Sequence, residues 1–191
     1  MQFRFINDRT TSGDHELTRR QLGYVLRFSP TRRITQLSVE GVAGQDIDFT
    51  HSRPGRGATV NLNARINPTD HLDIALVQNQ RWLNVDDPSG ASRRLFVSRV
   101  SRVRGTYMFT ANFFTRLIGQ YVSTSRNPLL YTNEVKRRSG TFSASALLAY
   151  KINWQSVLFV GYGDDRERSD RHELEPSTRQ FFVKVSYAFQ R

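Results

Sequence analysis

Apolar and polar residues alternate along most of this chain. Phe3 and Phe5 open the pattern, and Leu22, Tyr24, Leu26 and Phe28 continue it against Gln21, Gly23, Val25 and Arg27. Leu37, Val39, Gly41 and Ala43 interleave with Gln36, Ser38, Glu40 and Val42, and Ala58, Val60, Leu62, Ala64 and Ile66 with Thr59, Asn61, Asn63, Arg65 and Asn67. Leu72, Ile74 and Leu76 follow, then Val103, Gly105, Tyr107 and Phe109, and then Leu117, Gly119 and Tyr121. The cleanest run is Phe142, Ala144, Ala146, Leu148, Tyr150 and Ile152 against Thr141, Ser143, Ser145 and Lys151. Leu158, Val160 and Tyr162 come next, and the chain closes on Phe181, Val183, Val185, Tyr187 and Phe189. A period of two puts one residue class on each side of an extended strand. The pattern predicts an all-β chain of about ten strands. The weakest stretch is LFVSRVSRVRG (95–105). It fits a strand only with a bulge near Arg99 or with its upper part outside a membrane, and a short helix is the alternative.

The connections alternate as well. Residues 29–33, 67–70, 110–112 and 151–154 read as tight turns, and 7–18, 50–57, 84–92, 126–138 and 164–177 as long charged loops. Short and long in turn is the layout of an antiparallel up-and-down meander in the outer membrane, with turns at one rim and loops at the other. Several alternating runs span about nine to eleven residues, which a tilted membrane strand needs, whereas soluble strands average about five to six. Aromatic residues gather near strand ends, among them Phe28, Trp82, Tyr107, Phe109, Tyr121, Tyr150, Trp154 and Tyr187. Rings of this kind are most stable at head-group depth.

With the apolar set against lipid, the polar set faces a lumen. It comprises Arg27, Glu40, Asn61, Asn63, Arg65, Asp73, Arg81, Arg116, Gln120 and Lys184, with Asn79, Arg102, Arg104 and Lys151 beside them. Charges in mid-strand need water or partners. Pairing of Arg65, Arg81 and Arg116 with Asp73 and Glu40 across neighbouring strands would plug a narrow barrel rather than open a pore.

The composition changes the picture little. The chain has 191 residues, enough for one domain (1–191), and no cysteine, which excludes disulfides and thiolate metal sites. Its mean hydropathy is −0.54, and no stretch approaches the apolar length of a membrane helix. The formal net charge is +11, which raises nucleic-acid binding as a class. Aromatic and basic residues mostly fall on opposite sides of the strands, against a stacking surface for nucleic acid, and anionic lipid suits a basic rim equally well. A soluble β-barrel around an apolar ligand is the other alternative. MQFRFINDRT carries no secretion signal, so the expectation is either a cytoplasmic protein or the back part of a longer one. His15, His51, His71 and His172 lack zinc-protease spacing and are read as loop residues. Asp164, Asp165, Glu173 and Glu175 form an acidic cluster that could hold calcium or serve glycoside chemistry, but nothing fixes its spacing. No motif carries an enzymatic reaction, and neither metal nor cofactor is expected.

The segments RLFVSRVSRVRGTYMFTANFFTRLIGQY (94–121), GTFSASALLAYKINWQSVLFVGYGDD (140–165) and RQFFVKVSYAFQR (179–191) resemble the C-terminal barrel region of an uncharacterised family of bacterial outer-membrane proteins. Members of that family carry a secretion signal and a family-nine-like carbohydrate-binding domain ahead of the barrel. The resemblance covers the last hundred or so residues well and the first ninety in style only. It implies a transmembrane β-barrel, or the C-terminal part of a larger one, placed in the bacterial outer membrane as an anchor or solute passage. The implied partners are outer-membrane lipid and lipopolysaccharide, and barrel-insertion machinery reading Phe181–Phe189. Any carbohydrate contact would come through the domain that is absent here.

Overall fold

The computed structural model describes residues 1–12, 15–168 and 173–189. Among these residues the chain forms ten strands: β1 (Gln2–Ser12), β2 (His15–Phe28), β3 (Ile34–Asp48), β4 (Arg53–Thr69), β5 (Leu72–Asp86), β6 (Ser92–Met108), β7 (Phe113–Arg126), β8 (Arg138–Lys151), β9 (Ser156–Arg168) and β10 (Leu174–Tyr187). They make one antiparallel sheet in sequence order, each strand paired with the next. A 3-10 turn at Pro128–Leu130 interrupts the connection between β7 and β8. β1 and β10 are its edges, and no pairing joins them among the described residues.

Residues directly opposite each other in the ladder share a face, so the register shows whether the alternation is continuous across strands. One row runs Phe28, Leu37, Ala64, Leu76, Val103, Gly119, Ala144. The next row over includes Arg27, Ser38, Asn63, Val77, Arg102, Gln120 and Ser143. The apolar sets of successive strands therefore merge into one face and the polar sets into the other. The first row also drifts. It starts at the last residue of β2 and continues through Asp164 to Arg179, eight residues from the end of β10 at Tyr187. Such stagger means that the strands lie tilted, as a sheet curling toward a barrel requires.

Glycine permits close backbone approach along β3. A β-carbon at Gly41 would lie 2.0 Å from the Thr59 carbonyl oxygen. Gly44 has φ +146° and would bring a β-carbon within 2.4 Å of the Arg20 carbonyl oxygen. Backbone approach of this kind is open to glycine alone. Register shifts occur between Ile34 and Gln36, between Ile66 and Thr69, between Leu83 and Asn84, and between Pro176 and Thr178.

Three expectations change. Residues 95–105 lie within the continuous strand β6, and its irregularity falls at Leu95, where Leu83 pairs Phe96 while Asn84 pairs Arg94. Arg99 pairs with Gln80 and Ser123 on the apolar side, while Val100 and Phe96 fall on the polar side, so the alternation breaks in the upper part of this strand. Most of the long loops are strand instead. Residues 7–12 belong to β1, 53–57 to β4 and 84–86 to β5, and among the described residues only 126–138 remains a long irregular connection. The terminal strand ends at Tyr187, and Phe189 stacks edge-on against Tyr187 at 4.7 Å beyond it.

Among the described residues no layer of side chains covers the apolar face. Leu62 is 43% exposed, Leu148 45%, Leu117 58% and Val185 65%. A small buried hydrophobic cluster sits at the long-hairpin end: Leu83, Val85, Leu95 and Leu130, with Phe96 and Tyr131 against it. Leu83 and Val85 have the parity of Arg81, so this cluster is on the polar side of the sheet.

Candidate functional site

The register brings all ten sequence-selected polar residues to one face. Arg27, Asn63 and Gln120 share a row. Glu40 pairs with Asn61, and Asp73 connects through Thr106 to Arg116. Arg65 joins Arg104 through Ala75, Arg81 faces Thr59, and Lys184 pairs with Phe159. Three groups of charge occupy this face from one end to the other.

Near the short turns, Arg65 Nε donates to Asp73 Oδ2 at 2.6 Å, Asn67 donates to the same oxygen at 3.2 Å, and Arg104 lies 3.8 Å from the other oxygen. In the middle, Arg27 and Glu40 are 3.7 Å apart, Asn63 donates to Ser38 at 3.2 Å, and Asn79 donates to Asn61. At the long-hairpin end, Arg81 reaches across β4 to Asp46 at 3.1 Å, and Arg19 grips Asp8 with two bonds of 3.1 and 2.6 Å while approaching Asp46 at 4.0 Å. The pairing anticipated for Arg65 and Asp73 is present. Arg81 takes Asp46 instead of Asp73 or Glu40: register sets Arg81 opposite Thr59 and Thr59 opposite Val42, and the long arginine side chain reaches diagonally from there to Asp46, four residues further along β3. Arg116 finds no carboxylate among the described residues; it donates to the Thr106 hydroxyl at 3.4 Å and lies over the Phe114 ring at 5.7 Å.

Beyond Asp46 the face is closed over by the 126–138 connection. Asp48, 5% exposed, accepts from Arg53 Nε and from His51 Nδ1, both at 2.8 Å. Arg53 also donates to the Leu130 carbonyl at 2.6 Å. The Thr132 backbone N–H donates to His51 Nε2 at 3.3 Å, which makes Nε2 the acceptor and leaves the proton on Nδ1 for Asp48. Leu130 fills the small hydrophobic cluster, and burial pushes the Tyr131 phenol up. These bonds tie the connection to the β3–β4 hairpin across β5 and β6.

Asp8, Arg19, Asp46, Asp48, His51 and Arg53 did not figure in the sequence-derived polar set. Asp46 and Asp48 carry a signal that was open to reading, since both extend the parity of Glu40 along β3. His51 lies in the turn, as its loop assignment implied, but both ring nitrogens are engaged. Asp164 and Asp165 do not form a cluster: they point to opposite faces of β9, and Asp164 is held by Arg166 at 2.8 Å and Arg179 at 3.1 Å. GYGDD (161–165) is strand. His172 lies outside the described residues. The carboxylates of Asp8, Glu40, Asp46, Asp48 and Asp73 each have an arginine against them. The chemistry of the face is therefore ionic pairing and solvation of charge.

No family model matches the chain, and no curated protein matches it. Among solved structures it is similar to the NanC porin in a rhombohedral crystal form, at TM-score 0.42 and 16% identity over 90% of this chain and 79% of that one. That likeness is too remote to bear on function.

Proposed function

We propose that this chain is the barrel region of a bacterial outer-membrane protein, serving as a membrane anchor or solute passage, with the apolar face against hydrocarbon. Arg27, Glu40, Asn61, Asn63, Arg65, Asp73, Arg81, Arg116, Gln120 and Lys184 then face an enclosed interior. The observation that carries this reading is the bare apolar face. Leu62, Leu117, Leu148 and Val185 stand open while the opposite face is laced with ion pairs. In water, an apolar surface extending over ten strands would be expected to find a partner; in a bilayer it already has one.

Three further features support it. The strands are 11 to 17 residues long, above the length that spans a membrane obliquely. Rings mark both borders of the apolar band on β7 and β8, with Phe113 and Tyr150 at one end and Tyr121 and Phe142 at the other. Eight residues separate Phe113 from Tyr121, which is about 26 Å of strand. The turn-end border is continuous, with Tyr107, Phe109, Phe113 and Tyr150 in contact at 4.9, 4.8 and 6.4 Å.

Unpaired edges do not survive in hydrocarbon. In this reading β1 and β10 pair with each other or with further strands in the membrane. Phe181–Phe189 is the segment we assign to recognition by barrel-insertion machinery, being an edge of the sheet with exposed aromatic and apolar residues. A role in carbohydrate binding or uptake belongs to the extra domain of the resembled family, and no residue of this chain is assigned to it. The test is expression in a Gram-negative host with a secretion signal. The reading expects recovery in the outer-membrane fraction, extraction only by detergent, and faster gel migration before boiling than after. Recovery as a soluble monomer without detergent would refute it.

A further inference from the structure

The apolar face changes character toward the long hairpins. Beyond Leu22 and Ala58, the next positions on the same side of β2 and β4 are Arg20 and Arg56, and past the bulge of β6 Arg94 stands on that side too, all three exposed. Register places Arg56 opposite Asn84, and Asn84 opposite Arg94. Trp82 sits one step below, opposite Ala58, and the Arg94 guanidinium lies over its ring at 5.7 Å. Arg20, Arg56 and Trp82 line an open groove of about 600 Å³ with Ala43 and Ala58 at its apolar end. No acidic residue lines this groove, and none of the three arginines has a carboxylate partner among the described residues.

This differs from the arginines of the opposite face, where Arg19, Arg53, Arg65 and Arg81 each hold an aspartate. It also differs from the neighbouring rim, where Arg166 and Arg179 are occupied by Asp164. Two guanidiniums lining the groove and a third over the Trp82 ring beside it, all at the border of an apolar band, fit an anion whose own remainder is apolar. We infer that this groove binds the phosphate of a phosphorylated lipid head group in the leaflet at the long-hairpin end. The inference rests on the barrel reading above. Guanidinium forks match phosphate oxygens with paired, charge-assisted hydrogen bonds. The acyl chains would run down over Ala43, Ala58 and Leu22, and the indole would lie at head-group depth.

The experiment uses the full chain in phosphatidylcholine vesicles, alone or doped with lipid A or with dephosphorylated lipid A. Faster migration of the unboiled protein from phosphatidylcholine alone reports barrel formation independently of the head group; its absence counts against the barrel reading, not the groove. Lipid retained per protein after detergent extraction is then measured by mass spectrometry. The wild-type protein should retain lipid A well above its dephosphorylated form. A variant carrying Arg20→Gln, Arg56→Gln and Arg94→Gln should lose on the order of a hundredfold in preference, from three basic contacts with an anionic surface. The corresponding triple lysine variant should keep most of it. Equal retention of the two lipids by the wild-type protein overturns the proposal, and this comparison does not depend on any variant folding. Displacement of lipid A by inorganic phosphate alone would also overturn it, by assigning the groove to the free anion.

Discussion

Gly41 is in the middle of β3, where a side chain has no room: its β-carbon would meet the Thr59 carbonyl oxygen at 2.0 Å and the Tyr24 hydroxyl at 2.8 Å. The obstacle is backbone, so the neighbour cannot swing aside. Gly41→Val is expected to lower stability by about 2 kcal/mol, read as an earlier urea midpoint for the protein in detergent. Asp87 governs a hairpin in a different way. Its Oδ1 accepts from the Ser89 hydroxyl at 2.5 Å and from the backbone N–H groups of Ser89 and Ala91 at 2.9 and 3.0 Å, and Arg93 lies 2.5 Å from its other oxygen. The Ser89 bond foremost, and with it the two backbone bonds and Arg93, hold its carboxyl below the usual aspartate range. A depressed folded-state pKa means that this contribution is complete above the ordinary aspartate pKa and disappears as pH falls through the lowered one. Amide exchange in residues 86–92 should therefore quicken below the ordinary aspartate range, and Asp87→Asn should show the quickened exchange already at neutral pH. Arg65 and Asp73 form a close pair on the polar face, but the arginine is 53% exposed. A double-mutant cycle is expected to give only about 0.5 kcal/mol of coupling.

At the scale of elements, the 126–138 connection is held to the β3–β4 hairpin by few groups. Arg53 caps the Leu130 carbonyl, His51 accepts from Thr132, and Leu130 enters the small cluster of Leu83, Val85 and Leu95. Arg53→Ala with Leu130→Ser should release the segment, so that trypsin cuts at Lys136 to Arg138 many times faster while the strands stay resistant. Equal cutting in wild type and variant would mean that the contacts do not hold it. This element also shows where the sequence was legible. The β8 run from Phe142 to Ile152 announced its strand because one side is apolar and the other polar. The outer part of β1, the start of β4 and the end of β5 are strands as well, but in β1 and β4 both sides are hydrophilic beyond the apolar band, and in β5 the alternation changes phase, with Leu83 and Val85 apolar on the polar side. Charged residues such as Arg9, Arg53 and Asp86 therefore read as loop although their backbone continues the ladder. The partners on the polar face were hidden for a related reason. Which acid meets Arg81 depends on the register of β3 to β5, and neighbouring residues in one sequence do not fix that.

For the molecule as a whole, the decisive feature is one uncovered apolar face on a tilted sheet of ten strands. The membrane assignment follows from which side is bare, and the anchoring rim, the ion-pair ladder and the open edges take their meaning from it. The chain has no native cysteine, so single cysteines can be introduced one at a time along β8 without background. The direct measurement is a spin-label scan of residues 143–148 in the protein reconstituted into bilayers, reading collision with oxygen in the lipid and with a water-soluble nickel complex. The account predicts strong oxygen access at Ala144, Ala146 and Leu148 and low oxygen access at Ser143, Ser145 and Leu147. Alternation in the opposite sense, or even positions shut off from lipid and water alike as in a packed core, would contradict it.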